Sequence, residues 1–251
     1  MLLHGLADHG GVWGDLVDSL SSSQQWIVPD LRGHGESSKP NQPSLYTADQ
    51  LANDLAALSQ HLNLRSQTVV AHSWAAKVAL IWARKQPEQV RRLILVDPYF
   101  VNKLPRLLQP TLPLIYRVLP FLKVMGPFSD FESATKIART LKQYRGWTPL
   151  QAEVFRDSLI QTEDGQWRSK FSPAARDGVF LDVLNTAGLT ESLSTPTDLL
   201  MPENGLNRAS WQLKPYQKYL SQLTIQAIPG NHWPHLVEPA AFQLAIANCL
   251  D

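Results

Sequence analysis

Ser73 stands where two kinds of chain meet. Before it run Thr68, Val69 and Val70, β-branched residues that favour a strand; after it come Ala75, Ala76, Lys77, Val78, Ala79 and Leu80, an alanine-rich run of helix formers. This order predicts a strand, a very tight turn with the serine at its apex, and a helix. The hydroxyl then sits at the C-terminal edge of a buried sheet, above a helix N-terminus. Free N–H groups and the helix dipole there favour negative charge developing on a bound group. Ala71 and Ala75 flank the apex and are small enough for backbone to approach backbone. A serine so placed can attack a carbonyl. Because a lone hydroxyl is a weak nucleophile near neutral pH, it needs a base within reach and donors for the oxyanion.

The turn at Ala71-His72-Ser73-Trp74-Ala75 resembles the nucleophile elbow of the α/β-hydrolases, small-x-Ser-x-small, with alanine where glycine is usual. The resemblance implies a mostly parallel central sheet flanked by helices, with a helical cap inserted into it. It also implies the remaining machinery. A strand ending in His4-Gly5 supplies one oxyanion donor from the next residue, the Leu6 amide, and the Trp74 amide supplies the second. Two such donors contribute about 3 kcal/mol each to the transition state. Relatives carry Gly-x-His just after the final strand, followed by a Glu-Pro helix start. Gly230-Asn231-His232 and Glu238-Pro239 match, which makes His232 the base and His235 the less favoured neighbour.

The acid is the open point. Many relatives place an aspartate in a turn after the penultimate strand, yet here that turn reads Pro202-Glu203-Asn204-Gly205 and holds none. Asp198 comes too early, inside the strand. Other relatives take the acid from the end of the preceding strand, which is Asp97, directly after the apolar residues 93–96. Asp97 is the favoured acid and Glu203 the runner-up, since triads are defined by geometry rather than by chain position. Dehalogenases and epoxide hydrolases of this fold use aspartate at the apex, so Ser73 points instead to an acyl-enzyme route. The expected reaction is ester or thioester hydrolysis on a small or apolar acyl substrate. An acyltransferase, or a ligand-binding protein of impaired activity, would share the same residues. No cofactor and no metal ligands are expected.

Other stretches supply the scaffold. Residues 26–30 read as a short strand leading into Asp30-Leu31-Arg32-Gly33-His34-Gly35-Glu36-Ser37. That string marks hydrolases of this type, and its expected job is to brace a loop. His34 lacks an acid partner there and is a poor candidate base. Thr47 caps a predicted helix with Leu51, Leu55, Leu58 and Leu62 on one face. From Tyr99 to Ser194 the strand–helix alternation stops and prolines break the chain into helix-like pieces. The core is therefore expected over residues 1–98 and 195–251, with a substrate-selecting cap over 99–194. Within the cap, residues 104–125 are apolar but too interrupted by proline and charge for a membrane span.

Bulk composition narrows the function further. The 251 residues suit one large α/β domain, and 44% hydrophobic content suffices for a core. With 23 basic against 22 acidic side chains, scattered and summing to +1, the chain has no footprint for nucleic acid or an anionic membrane. The single cysteine, Cys249, excludes an internal disulfide and a cysteine zinc cage. Ser21-Ser22-Ser23 reads as a polar turn. Residues 1–5 lack the charged region of a secretory signal, so a cytoplasmic home is expected. Relatives carry two further strands before the His-Gly strand. Without them residues 26–30 form an apolar sheet edge open to self-association; either the recorded start lies downstream of the true one, or a partner covers the edge.

Overall fold

A computed structural model describes residues 1–20 and 24–250; the expected turn at Ser21-Ser22-Ser23 lies outside them. The chain order is β1 (Leu2–Leu3), α1 (Gly14–Leu20), α2 (Ala48–His61), β2 (Gln67–His72), α3 (Ala75–Lys85) and β3 (Val90–Val96). There follow α4 (Leu112–Val118), α5 (Phe131–Ala138), α6 (Pro149–Asp157), β4 (Leu159–Gln161), β5 (Trp167–Ser169) and α7 (Pro173–Asn185). The chain closes with β6 (Thr197–Asn204), α8 (Ser210–Tyr219), β7 (Leu223–Asn231), α9 (Pro234–Val237) and α10 (Pro239–Leu250).

β1, β2, β3, β6 and β7 form one sheet in that spatial order, every neighbour parallel. Successive strand residues enter opposite cores, as a pleat with period two requires. Leu93 and Leu95 of β3 pack with α2, α3 and α7, whereas Ile94 and Val96 pack with α1, α6 and α10. The near-continuous apolar runs in β2 and β3 thus serve two cores at once. Cys249 belongs to the second core, and burial pushes its thiol up to about 11, so it behaves as a small hydrophobe.

Residues 26–30 depart from expectation. They form no strand; a single backbone bond, Leu2 N–H to Ile27 O at 2.9 Å, ties them beside β1. A two-residue strand offers too short a ladder to organise a neighbour, and the segment stays half-buried. The braced loop after it is formed as its composition suggests. Asp30 accepts from the Gly10 and Glu36 amides at 2.7 Å each, Ser37 Oγ donates to Asp30 O, and Gly33 adopts φ +86°.

Between β3 and β6 the chain leaves the sheet. Short 3₁₀ turns at Arg106–Thr111, Pro120–Met125 and Lys142–Tyr144 separate α4, α5 and α6, as the prolines require. An antiparallel hairpin, β4–β5, interrupts the helical pieces. The sequence reading did not include it, since three-residue strands carry too few residues to display a period. α7 returns the chain to the sheet, and Asp182 on it meets Lys77 on α3 at 2.6 Å with both side chains fully buried. Burial lowers the Lys77 pKa and the Asp182 charge opposes the shift. Removing one partner strands a charge in the core, so Asp182→Ala should lower unfolding free energy by about 3–5 kcal/mol. The double change Lys77→Met with Asp182→Leu should recover most of that loss in urea titrations. Equal loss in single and double variants would show that the pair contributes packing only.

Candidate functional site

A parallel sheet brings all its C-terminal strand ends to one edge, and each end contributes here. Ser73 follows β2 directly and adopts φ +55°, a left-handed conformation costing about 1–3 kcal/mol for a side-chain-bearing residue. Neighbouring backbone holds it: Ser73 N–H donates to Val96 O at 2.9 Å, and Ser73 O accepts from Tyr99 N–H at 3.1 Å. Ala71 and Ala75 are fully buried on either side, in keeping with a turn that has no room for larger side chains.

Asp97 follows β3, where Asp97 N–H continues the ladder to Leu200 O at 2.9 Å. His232 follows β7. Ser73 Oγ–H donates to His232 Nε2 at 2.9 Å, and His232 Nδ1–H donates to Asp97 Oδ2 at 2.6 Å. Three residues separated by as many as 159 positions therefore form one continuous hydrogen-bonded chain. Such a chain can draw a proton from the hydroxyl to the imidazole while the carboxylate steadies the cation formed.

The turn after β6 cradles the acid. Leu206 N–H donates to Asp97 Oδ2 at 2.8 Å, and Asn207 Nδ2–H to Asp97 Oδ1 at 2.9 Å and to Pro98 O at 2.7 Å. Burial alone would raise the Asp97 carboxyl. The His232 hydrogen bond and charge, with the Leu206 and Asn207 donors, outweigh it and hold the group below its ordinary value. It is therefore ionised at neutral pH. Gly205 leaves the space: a Cβ there would stand 2.6 Å from Asp97 Oδ2 and 2.9 Å from its Cγ. Gly205→Ala must displace the carboxylate, and kcat on an ester should fall about 100-fold with KM changing far less. Unchanged kcat would mean that the His232–Asp97 contact is dispensable.

Leu6 and Trp74 line the same cavity as Ser73 and His232. Among the described residues, neither of their N–H groups donates a hydrogen bond to protein, which leaves both available to an oxyanion. The cavity holds about 410 Å³, within the range of small-molecule sites. Tyr99, Phe100, Leu119 and Phe121 supply apolar wall, and Arg208 and Lys142 also reach its lining. A second cleft of about 510 Å³, around Gly10, Val17 and Glu36, contains neither Ser73 nor His232.

The other candidates lie elsewhere. Glu203 is exposed on β6, and among the described residues it makes no bond to His232. His34 is buried, accepts no part in the Ser73 chain, and stacks on Phe171 with centroids 4.5 Å apart; burial and the charge of His4 hold it neutral. His235 packs against Trp13, Asp8 and His72 rather than Ser73. Sequence reasoning missed Asn207 and Gly205. An amide and a glycine carry no titratable signal, and only the register of β3 against β6 brings them to Asp97.

Residues 1–239 match the sequence pattern of the alpha/beta hydrolase fold family. The chain belongs to the α/β-hydrolase family. Among α/β-hydrolase relatives, the 2-(acetamidomethylene)succinate hydrolase of Mesorhizobium japonicum is 26% identical over 260 residues, covering 100% of this chain and 87% of that protein. Epoxide hydrolase 2 of Siraitia grosvenorii is 32% identical over 106 residues, which is 42% of this chain and 34% of that enzyme. Several curated relatives are thus matched over about a third of their own length, 30% to 35%. Among solved structures, a marine microorganism esterase superposes with a TM-score of 0.75 at 23% identity, covering 98% of this chain and 93% of that one. Among the described residues, no helix is long and apolar enough to cross a membrane.

Proposed function

We propose that this α/β-hydrolase is a serine hydrolase of esters or thioesters with a small or apolar acyl group, working through an acyl-enzyme. The observation that carries the reading is the unbroken Ser73–His232–Asp97 hydrogen-bond chain. Ser73 Oγ attacks the carbonyl carbon as His232 Nε2 takes its proton. The carbonyl oxygen becomes an oxyanion between the Leu6 and Trp74 amides. Collapse expels the alcohol or thiol, which receives the proton from His232. Water then enters, gives a proton to His232 Nε2 and attacks the acyl carbon; collapse of this second oxyanion intermediate breaks the acyl–Oγ bond, His232 returns the proton to Ser73 Oγ, and the acid product departs. Asp97 orients His232 throughout. Residues 99–194 serve as a cap, with Leu119, Pro120 and Phe121 over the acyl group.

A fluorophosphonate probe tests this directly. Wild-type protein should be labelled at Ser73 in a one-to-one ratio, and Ser73→Ala should abolish labelling. Folded wild-type protein that resists the probe would instead be a ligand-binding member of the family. A panel of p-nitrophenyl esters graded by chain length should give a kcat/KM optimum, because the apolar wall is of finite depth. A flat response would remove the cap from substrate choice. Release of acyl only to an added alcohol or amine, never to water, would make the protein an acyltransferase.

A further inference from the structure

Next to His232, three buried side chains from separate elements meet, His72 standing 4.8 Å from both the His232 and the His235 ring. They are Asp8 from the loop after β1, His72 at the end of β2, and His235 in α9. Their exposures are 9%, 1% and 3%. One donor atom from each lies within 4.8 Å of the others. None takes part in the hydrolytic chain described above.

Their hydrogen bonding is incomplete in a specific way. Asp8 Oδ2, His72 Nδ1 and both ring nitrogens of His235 are buried with no hydrogen-bond partner among the described residues. His72 Nε2 lies 2.7 Å from His232 O, a carbonyl that can only accept, so the His72 proton sits on Nε2. Its Nδ1 therefore carries a lone pair, and that lone pair faces Asp8 Oδ2 at 3.8 Å, beyond hydrogen-bond reach. Burial pushes the Asp8 carboxyl up to about 7, so near neutral pH it holds a proton in about half the molecules, and an ion bound there would displace that proton. Burial, helped by the neighbouring histidines, holds both imidazoles neutral, His235 at about 3 and His72 well below its ordinary value. Neutral imidazole is the ligating form.

We infer that Asp8, His72 and His235 constitute a site for a divalent transition-metal ion of the zinc class, held by two imidazole nitrogens and one carboxylate oxygen. The donor set favours an imidazole-seeking ion over calcium or magnesium, which require a shell of oxygens. Donors around a tetrahedral zinc stand about 3.4 Å apart, so side-chain rotations that draw the three together suffice. The outer support is present as well: a ligating histidine ordinarily gives its second N–H to a carbonyl or carboxylate, and His72 gives it to His232 O. Asp8 and His72 also line the cavity that contains Ser73, which provides an entry route and leaves a fourth position for water. The site is independent of the proposed hydrolysis, because no step of that reaction uses these three side chains.

Zinc titration of the EDTA-treated full chain, read by calorimetry and by competition with a chromophoric chelator, tests the site. One zinc ion should bind per chain. Asp8→Asn and His235→Phe should each weaken binding about 100-fold or more, and the phenylalanine is suited to the ring stack on Trp13 and Phe242. Ser73→Ala and His232→Ala should retain it. X-ray absorption of zinc-loaded wild-type protein should report two imidazoles in the shell, a result independent of whether any variant folds. No stoichiometric binding by folded wild-type protein would overturn the assignment. So would binding that ignores Asp8→Asn and His235→Phe, loss of binding in His232→Ala, or an all-oxygen shell.

Discussion

Asp97→Asn should lower kcat by about 10⁴-fold while the protein remains folded. The Asp97 carboxylate accepts from the Leu206 amide, the Asn207 side chain and His232 Nδ1–H, and it has no proton of its own to place. An asparagine amide brings two protons into a pocket already furnished with donors. One orientation sets an N–H against His232 Nδ1, which forces the imidazole proton onto Nε2. The ring then has no lone pair for the Ser73 hydroxyl. Glu203→Gln, on the exposed face of β6, should leave kcat within about twofold, as surface changes usually do. Steady-state kinetics on one activated ester decide between them. A loss confined to Glu203→Gln would move the acid to that residue.

His232→Ala should cost about 10⁶-fold in kcat, and Ser73→Ala a comparable amount. The instructive quantity is the double variant. In the proposed mechanism both side chains act in the same proton transfer, and they stand 2.9 Å apart, so removing the second should not repeat the loss caused by the first. Ser73→Ala with His232→Ala should therefore be no slower than either single variant. On the proposed mechanism the residual rate would come from the Leu6 and Trp74 amides and from substrate binding in the cavity they line. Multiplicative losses would mean that the two groups serve different steps.

Much of this arrangement was legible in the sequence because it is local. The β-branched run before Ser73 and the alanines after it dictate strand, elbow and helix within 20 residues, and β2 and α3 fall where those propensities put them. Thr47 caps α2 through the Gln50 amide for the same reason. The choice between Asp97 and Glu203 was not local. It turns on Val96 facing Leu200 across the β3–β6 ladder, which sets the turn after β6 around Asp97. The strand expected at 26–30 failed because a strand is a property of a pair, and β1 offers two residues. The grouping of Asp8, His72 and His235 was likewise invisible, since sequence distances up to 227 positions carry no spacing rule.

The buried Lys77–Asp182 pair has a mechanical meaning as well as an energetic one. It rivets α7, the last helix between β3 and β6, to the helix that begins just beyond Ser73, and Arg84 Nη1–H on that helix to Thr190 Oγ1 at 2.7 Å adds a second fastening. The rear of the insertion is thus fixed masonry. Among the described residues, Leu119, Pro120 and Phe121 carry no such rivet; they line the cavity beside Ser73, and Leu107, Leu114 and Val118 of the same stretch stand bare to solvent.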